Sequence, residues 1–246
     1  MLLTSKVVLL TGARRMGPVI AERLIARGAS VVVTYRGSRS DADEVVAAAQ
    51  GVGARALALQ ADVSDPASVA ALMATIDATF GRLDVVVNMA STYESVPFSA
   101  MTEDDWHRHL GVDLHGTFRV CHAAVPLMRR NGGGRIINFT DWVAASGRPR
   151  YEGYVAYYVA KAGVKALTEA LALELASDGI LVNAIAPGPI LPPPGTSEAE
   201  RAAVAEATPL GRWGGPEEIA KVIDAFIDSD FITGETVRVY GGRHVR

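Results

Sequence analysis

The chain of 246 residues contains one cysteine, Cys121, and no long run of apolar residues. A single thiol excludes an internal disulfide and fits a reducing compartment, so ordinary helix packing is the role expected of Cys121. No apolar stretch approaches the roughly 18 residues of a membrane span. We therefore expect a soluble, cytoplasmic protein that does not insert into a membrane.

A surplus of positive charge is also absent. The chain carries 24 Lys plus Arg against 27 Asp plus Glu, which gives a formal net charge of −3. This balance produces no broad positive field, so nucleic acid is not expected as a partner and any phosphate must be recognised locally. The sequence predicts no metal site either.

Short apolar runs alternate along the chain with segments that have helical periodicity. Continuous apolar strands separated by helices are typical of a parallel sheet covered on both faces. The sequence predicts an α/β fold of one domain, residues 1–246, with a seven-stranded, mostly parallel, doubly wound sheet. The predicted strands are Val7–Leu10, Val31–Val33, Ala56–Leu59, Val85–Val87, Ile136–Phe139, Leu181–Ile185 and Thr236–Val239.

Glycine and proline mark the ends of several predicted helices and one longer loop. Gly81 and Gly179 follow helices, and Pro66 and Pro216 begin them. Residues 190–212 start with a proline-rich stretch that cannot continue a regular element, and they contain a helix candidate at 197–207. We expect this segment to be a lid over a binding site.

A glycine-containing turn follows the first predicted strand. It runs from Thr11 to Gly17 and precedes an amphipathic segment, Val19 to Ala26. A buried strand, a glycine turn and a helix start form an arrangement that can hold a dinucleotide pyrophosphate on backbone N–H groups. Gly12 permits the tight turn and Gly17 the close approach of helix and strand. Taken alone, the segment is equally consistent with a simple turn.

Tyr157 and Lys161 lie four residues apart in an alanine-rich stretch that reads as helix. One helical turn places both side chains on one face, where the ammonium is expected to lower the pKa of the phenol. That pair can carry acid–base chemistry. The alternative for an isolated Tyr-x-x-x-Lys pair is that the two residues are neighbours by chance on a solvated helix face.

These two motifs are joined by Asn88-Met89-Ala90 after the strand ending at Val87, and by Pro187-Gly188. Together they resemble the short-chain dehydrogenase/reductase family, and the resemblance covers almost the whole chain. It implies a nicotinamide-dependent oxidoreductase on a single Rossmann-type domain, with Tyr157 and Lys161 carrying proton transfer.

The residues at the end of the second predicted strand indicate whether NAD or NADP is bound. NAD-selective members of the family place an acidic residue there, whereas this chain has Tyr35 followed by Arg36. An arginine attracts the 2′-phosphate of NADP, and no carboxylate is present to repel it. Arg14 and Arg15 leave the glycine turn toward the same region, so three guanidinium groups are expected to converge on one phosphate. The alternative is that the three arginines are solvated loop charges. NADP(H) is the predicted cofactor.

The resemblance implies further cofactor contacts. It places Met16 with Gly12 and Gly17 in the glycine turn, Asp62 and Val63 beside adenine, Asn88 and Ala90 beside the ribose, and Pro187, Gly188 and Ile190 beside nicotinamide. Asp62 has an alternative role in a turn, since Asp65-Pro66 follows closely.

Asp141 occupies the position after the fifth strand where the family usually has a serine that donates to the substrate. An ionised carboxylate only accepts hydrogen bonds, so it suits a substrate with N–H donors or a ring nitrogen that becomes protonated. This substitution resembles the pteridine reductase branch of the family. The alternative is that Asp141 caps local backbone N–H groups while Thr140 supplies a hydroxyl.

Asp113 is a second departure, because the family commonly has an asparagine there that links the lysine to solvent through water. Asp113 is expected to strengthen the positive pole near Lys161, or else to be a polar helix residue without a catalytic role. Trp142, Tyr154 and Leu191 are predicted to form substrate walls, with core packing as the alternative.

The resulting hypothesis is an NADPH-dependent reductase of a pterin-like C=N bond, with Asp141 orienting the substrate, Tyr157 supplying a proton, and Lys161 holding the ribose. The rivals are a 3-oxoacyl thioester or broad ketone reductase, and a non-catalytic NADP-binding sensor. A stripe of small residues, Ala162, Ala166 and Ala170, allows close contact between helices. The family resemblance implies that this helix pairs between subunits, so a homotetramer is expected. Packing within one subunit is the alternative.

Overall fold

A parallel sheet of seven strands organises the protein in the computed structural model, which describes residues 1–12, 14–37 and 39–245. The strand order is β3-β2-β1-β4-β5-β6-β7, and every neighbouring pair is parallel. The seven predicted strands are confirmed, and the sheet is parallel throughout instead of mostly so. The strands are β1 (Val7–Thr11), β2 (Ser30–Tyr35), β3 (Ala56–Gln60), β4 (Val85–Asn88), β5 (Gly134–Phe139), β6 (Ile180–Pro187) and β7 (Thr236–Val239).

Helices cover both faces of this sheet. One core contains residues of α1, α2 and α9, and a second core on the other face contains residues of α3, α5 and α7. The doubly wound prediction is therefore confirmed. The helices are α1 (Gly17–Ala26), α2 (Ser40–Gly51), α3 (Pro66–Phe80), α4 (Glu103–Leu110), α5 (Thr117–Arg130), α6 (Trp142–Ala145), α7 (Val155–Glu174), α8 (Glu198–Glu206) and α9 (Pro216–Asp228).

Local signals explain where α3 begins and ends. The Asp65 side chain accepts a hydrogen bond from the Ala67 amide, and Pro66 occupies the first turn. At the other end Gly81 has φ of 68°, a left-handed conformation that glycine adopts without a Cβ clash. The predicted positions of Pro66 and Gly81 at the two ends of a helix are confirmed, and the Asp65 cap was not predicted.

The strand order reverses between β1 and β4, and this position creates the crevice. Connections from β1 and β4 leave in opposite directions, so a groove opens beyond their carboxyl ends. Thr11 lies opposite Asn88 in the register, which brings the glycine turn against the segment after β4. A Cβ added at Gly12 would lie 3.2 Å from the Ala90 Cα, so the two backbones approach closely there.

Two irregular features border the same crevice. A π-helical segment, Gly111–Gly116, joins α4 to α5 and buries Asp113. Such wide turns are often found at functional sites. On the far side, the predicted lid contains α8, within one residue at each end of the predicted helix. No helix in the described part of the chain is long and apolar enough to cross a membrane.

Candidate active site

Tyr157 and Asp141 meet at the carboxyl end of β5. The Tyr157 hydroxyl donates to Asp141 Oδ2 at 3.2 Å, while Asp141 Oδ1 accepts from the Val143 amide at 2.7 Å. Asp141 therefore caps α6 and faces the phenol at the same time. The Thr140 hydroxyl is buried and donates to the Lys161 carbonyl, so it does not face the site.

Lys161 is held one helical turn further into α7. Its ammonium contacts the Phe139 carbonyl at 2.9 Å and Asp113 Oδ1 at 3.0 Å, and both charged side chains are buried. Asp113 also accepts from the Ser91 hydroxyl at 2.5 Å and from the Thr92 amide at 3.1 Å. Asp113 therefore lies beside Lys161, as expected, and these contacts leave its catalytic role a prediction.

The expected effect of Lys161 on the phenol is wrong for this structure. The pKa of Tyr157 lies well above its ordinary value because burial disfavours the phenolate, and the charges of Asp141 and Asp113 add to that effect. The Lys161 Nζ lies 5.7 Å from the phenol ring centroid. Burial and the two nearby carboxylates therefore keep Tyr157 a protonated donor.

Asp141 is influenced by the same burial. Loss of water raises its pKa, although the Val143 amide, the Lys161 charge and the Tyr157 hydroxyl all favour the carboxylate. The group is therefore easier to protonate than an exposed aspartate. A protonated carboxyl can donate a hydrogen bond as well as accept one.

A cavity of about 250 Å³ opens above this pair of residues, and aromatic side chains form much of its wall. Tyr154, which was predicted to form a substrate wall, lines it. Trp142 and Leu191 lie outside this lining, and Trp142 is buried beside Tyr151. The lining residues are Tyr93, Asp141, Val143, Ala144, Pro149, Arg150, Tyr151, Tyr154, Val155, Tyr157, Tyr158 and Val159.

Tyr93 is a wall residue that the sequence reasoning missed. Its ring stacks on Tyr154 at 4.7 Å between centroids and meets the edge of Tyr157 at 5.0 Å. Its position shortly after β4, at the carboxyl edge of the sheet, could have identified Tyr93 as a wall residue from the sequence. Arg150 and Tyr151 were missed because they belong to the loop between α6 and α7, which has no regular pattern.

The glycine turn ends at an uncapped helix. Met16 precedes α1 without a side-chain cap, and no acidic residue occupies the first turn. The amides of Gly17 and Val19 are therefore available to an anion, whereas Pro18 has no N–H. The buried Asn88 Oδ1 has no hydrogen-bond partner in the described residues. A Cβ at Gly188 would lie 2.5 Å from that of Tyr240, so only glycine fits there. These features fit a dinucleotide lying across the crevice.

One of the three arginines predicted to bind the phosphate, Arg15, has a different contact in the structure. Arg15 has φ of 68° and its guanidinium donates to the carbonyls of Leu191 and Pro192 at 2.7 and 3.0 Å, so it joins the glycine turn to the lid. Arg14 and Arg36 are exposed near the turn and the end of β2. The prediction that three guanidinium groups meet is wrong for Arg15.

The remaining predicted cofactor residues lie along the carboxyl edge. Asp62 Oδ1 accepts from the amide and hydroxyl of Ser64, so the turn role proposed as its alternative is present. Val63 is buried against Gly116. Tyr35 ends β2, where the Arg39 guanidinium lies 5.9 Å from its ring centroid. Residues 187–190, with Gly17 and Ala90, border the crevice from the ends of β6, β1 and β4.

No group of three His, Cys, Asp or Glu side chains capable of holding a metal occurs within residues 1–12, 14–37 and 39–245.

Comparisons with known proteins match this geometry. A family profile described as Enoyl-(Acyl carrier protein) reductase matches residues 12–244. The Short-chain reductase protein NovJ of Streptomyces niveus is 40% identical over 250 residues, covering 96% of this chain and 93% of the relative. The 3-oxoacyl-[acyl-carrier-protein] reductase FabG of Staphylococcus aureus is 38% identical over 247 residues, covering 98% and 99%.

Solved structures give the same result. A short-chain dehydrogenase/reductase from Serratia marcescens superimposes with a TM-score of 0.90 at 30% identity, covering 99% of both chains. Acetoin dehydrogenase from Enterobacter cloacae gives 0.88 at 35% identity, covering 98% of this chain and 96% of that one. The chain belongs to the short-chain dehydrogenase/reductase family. It is an oxidoreductase of that family.

Proposed function

We propose that the protein is an NADPH-dependent reductase of a planar, hydrogen-bonding substrate, a pterin-like C=N heterocycle. The observation that carries this proposal is the contact of Asp141 Oδ2 with the Tyr157 hydroxyl at 3.2 Å on the wall of an aromatic cavity. A carboxyl group beside a proton donor favours a substrate that offers N–H donors. The stacked Tyr93 and Tyr154 rings suit a flat ring system.

The nucleotide would lie across the crevice between β1 and β4. The α1 amides and Gly12 would hold its pyrophosphate, Asn88 and Lys161 its nicotinamide ribose, and the residues from Pro187 to Ile190 its nicotinamide. Arg36 and Arg14 would bind the 2′-phosphate that distinguishes NADPH. When bound, NADPH supplies the hydride for the reduction.

The chain's own residues supply the proton. Burial keeps the Tyr157 phenol protonated, so it can donate to the heteroatom of the reducing bond. Lys161 is fixed between Phe139 and Asp113, and Asp113 contacts the exposed Ser91. This series of polar groups connects the buried ammonium with solvent and provides a route by which a proton can be returned.

A 3-oxoacyl thioester reductase is the second candidate. It is favoured by the similarity of this chain to the 3-oxoacyl-[acyl-carrier-protein] reductase FabG of Staphylococcus aureus, at 38% identity. In this alternative, Asp141 must be protonated to donate to a ketone oxygen, which the upward shift in its pKa makes easier. The cavity would then hold the ketone and the first part of the acyl chain.

One comparison separates the two candidates. NADPH oxidation is measured with dihydropterins, quinones, aryl ketones and 3-oxoacyl thioesters, for the native enzyme and for Asp141→Ser. A pterin-type reductase loses activity in this variant, because serine cannot act as the carboxylate. A carbonyl reductase keeps or gains activity, and that result would overturn the pterin proposal. Absence of NADPH oxidation with all four classes would overturn both candidates.

A homotetramer is proposed for the active form. Ala166 and Ala170 of α7 are exposed in the single chain, and Leu173 on the same helix is 84% exposed. This exposure supports packing of the stripe against a second subunit. Sedimentation velocity on the native enzyme and on Ala166→Glu tests this proposal, since a charged side chain would separate the subunits. A native protein that sediments as a monomer would contradict it.

A further inference from the structure

Trp142 follows Asp141 directly and is almost completely buried, at 4% exposure. It is the first residue of α6, the short helix that Asp141 caps by accepting from the Val143 amide at 2.7 Å. A helix of one turn has little stability of its own, so its position depends on how its side chains pack. The packing of the Trp142 ring therefore determines where the neighbouring Asp141 lies.

Tyr240 supports the Trp142 ring from the end of β7. The two rings stack at 6.1 Å between centroids, with an angle of 22° between their planes. Another part of Trp142 meets Tyr151, in the wall of the cavity above Asp141, at 6.4 Å between ring centroids. Trp142 thus fills the space between the cavity wall and Tyr240, and removal of the Tyr240 ring would leave a gap beside it.

The same two rings pack against the loop that is proposed to hold nicotinamide. The Gly188 amide donates to the Val239 carbonyl at 2.8 Å, which ties this loop to the end of β7. A Cβ added at Gly188 would lie 2.5 Å from the Tyr240 Cβ and 3.6 Å from Trp142 Cδ1. One aromatic stack therefore lies against both the nicotinamide loop and the residue after Asp141.

The chain that follows Tyr240 is fixed against the predicted lid. A Cβ added at Gly241 would lie 2.5 Å from Thr208 Cγ2, so the two segments are in close contact. The Arg243 guanidinium donates to the Val204 carbonyl at 3.0 Å and to the Thr208 hydroxyl at 3.3 Å. Because β7 precedes Tyr240 and these contacts follow it, the Tyr240 ring has little freedom to move.

We infer that Trp142 and Tyr240 are positioning residues, whose stack holds Asp141 within hydrogen-bond distance of the Tyr157 hydroxyl. Both rings lie outside the lining of the cavity above Asp141, so they act through Asp141 and not on the substrate. The inference rests on the proposed function in taking Asp141 and Tyr157 as the reacting pair. It gives Trp142, which was predicted to form a substrate wall, a role in placing the carboxyl group.

The Tyr157 phenol reports the position of Asp141 without any substrate. In enzyme labelled at the tyrosine Cζ carbons, the Tyr157 resonance is assigned by its loss in Tyr157→Phe and is then measured at neutral pH. Asp141→Asn should shift this resonance, because an amide replaces the charged acceptor of the phenol hydrogen bond. Tyr240→Leu should shift it in the same direction, and Tyr240→Phe, which keeps the stacked ring, should leave it at the native position.

Phe80→Leu is the matched control for Tyr240→Leu. Both rings are half-buried, and each has an arginine guanidinium within 6 Å of its centroid, at 4.6 Å for Phe80 and 5.7 Å for Tyr240. Phe80 is the last residue of α3, at the amino edge of the sheet and opposite the crevice. The control should lower the melting temperature by a similar amount and leave the Tyr157 resonance and kcat at their native values.

Kinetics show whether the effect passes through Asp141. With the substrate that the native enzyme reduces fastest, Tyr240→Leu should lower kcat about 10-fold, because a small misplacement of a reacting group is costly. NADPH affinity should change little. In the Asp141→Asn background the same substitution should have little further effect on kcat, since changes that act through one shared group are not additive.

Two results would overturn the inference. One is a Tyr157 resonance that stays at the native position in Tyr240→Leu, or that shifts equally in Phe80→Leu. The other is a loss of kcat from Tyr240→Leu that is as large in the Asp141→Asn background as in the native enzyme. Absence of NADPH oxidation with every substrate class would overturn the proposed function alone, because the resonance is measured without substrate.

Discussion

The two ends of the crevice differ in how their charged groups are held. At the reacting end, Lys161 and Asp113 are 3% and 0% exposed and contact each other at 3.0 Å. At the phosphate end, Arg14 and Arg36 are exposed and no hydrogen bond fixes their guanidinium groups in the described residues. A buried charge requires a partner, and the contact fixes the position of the charged side chain. An exposed guanidinium group samples many rotamers until a ligand binds. We therefore expect substitutions at the reacting end to affect chemistry and stability, and those at the phosphate end to affect cofactor choice.

The largest effect is expected for Tyr157→Phe. Removing the hydroxyl removes the proton donor, so turnover should fall about 1,000-fold, within the range of general acid catalysis. NADPH affinity, measured by quenching of protein fluorescence, should change little because the ring remains. A Tyr157→Phe variant that keeps more than a tenth of native turnover would contradict the role of Tyr157 as proton donor.

Asp113→Ala should cause the next largest change. It leaves the Lys161 ammonium buried without its carboxylate, so the free energy of unfolding should fall by about 3 kcal/mol in urea titrations. Asp113→Asn is the control, because an amide oxygen still accepts from Ser91 or Lys161, and it should cost less. Equal stability of the alanine variant and the native protein would remove the distinction between the two ends.

At the phosphate end, Arg36→Ala should weaken NADPH binding about 10-fold, the size of one charge-assisted hydrogen bond to phosphate. NADH lacks the 2′-phosphate, so its affinity should stay unchanged. Parallel titrations of both nucleotides measure this difference. Equal losses for NADPH and NADH would show that Arg36 does not recognise the extra phosphate.

The smallest effect is expected for Arg15→Ala, which removes two exposed hydrogen bonds to the start of the lid. Amide hydrogen exchange in residues 190–212 should become about five-fold faster, corresponding to about 1 kcal/mol. Arg14→Ala is the control and should leave lid exchange unchanged. If both variants exchange at the native rate, Arg15 does not hold the lid.

The fold was largely predictable because its signals are local and repeated. Each apolar run such as Val85–Val87 is long enough for one buried strand, and Pro66 and Gly81 mark the ends of α3 through their own backbone preferences. The order of the strands is not a local property. It depends on contacts between distant segments, such as Thr11 opposite Asn88, and it was not predicted from the sequence.

The site was predictable where two groups share one helix, and less so where they come from separate loops. Tyr157 and Lys161 are placed by the period of α7, so their common face could be inferred. The contact of Asp141 with Tyr157 depends on how α6 packs on α7, and its effect on the phenol pKa depends on burial that the sequence does not display. Arg15 was assigned to phosphate because its left-handed backbone, which turns it to the lid, is not visible in its residue type.

The most direct test of the account concerns the coupling of Tyr157 to Asp141. Reduction requires the protonated phenol, so activity should fall as pH rises through the pKa of Tyr157, which burial and Asp141 hold well above its usual value of 10.0. Asp141→Asn keeps the shape of the side chain and removes its charge. The fall of kcat/KM on the alkaline side should then occur at a lower pH in the variant than in the native enzyme. An alkaline limb that stays in place or moves to higher pH in the variant would contradict the account.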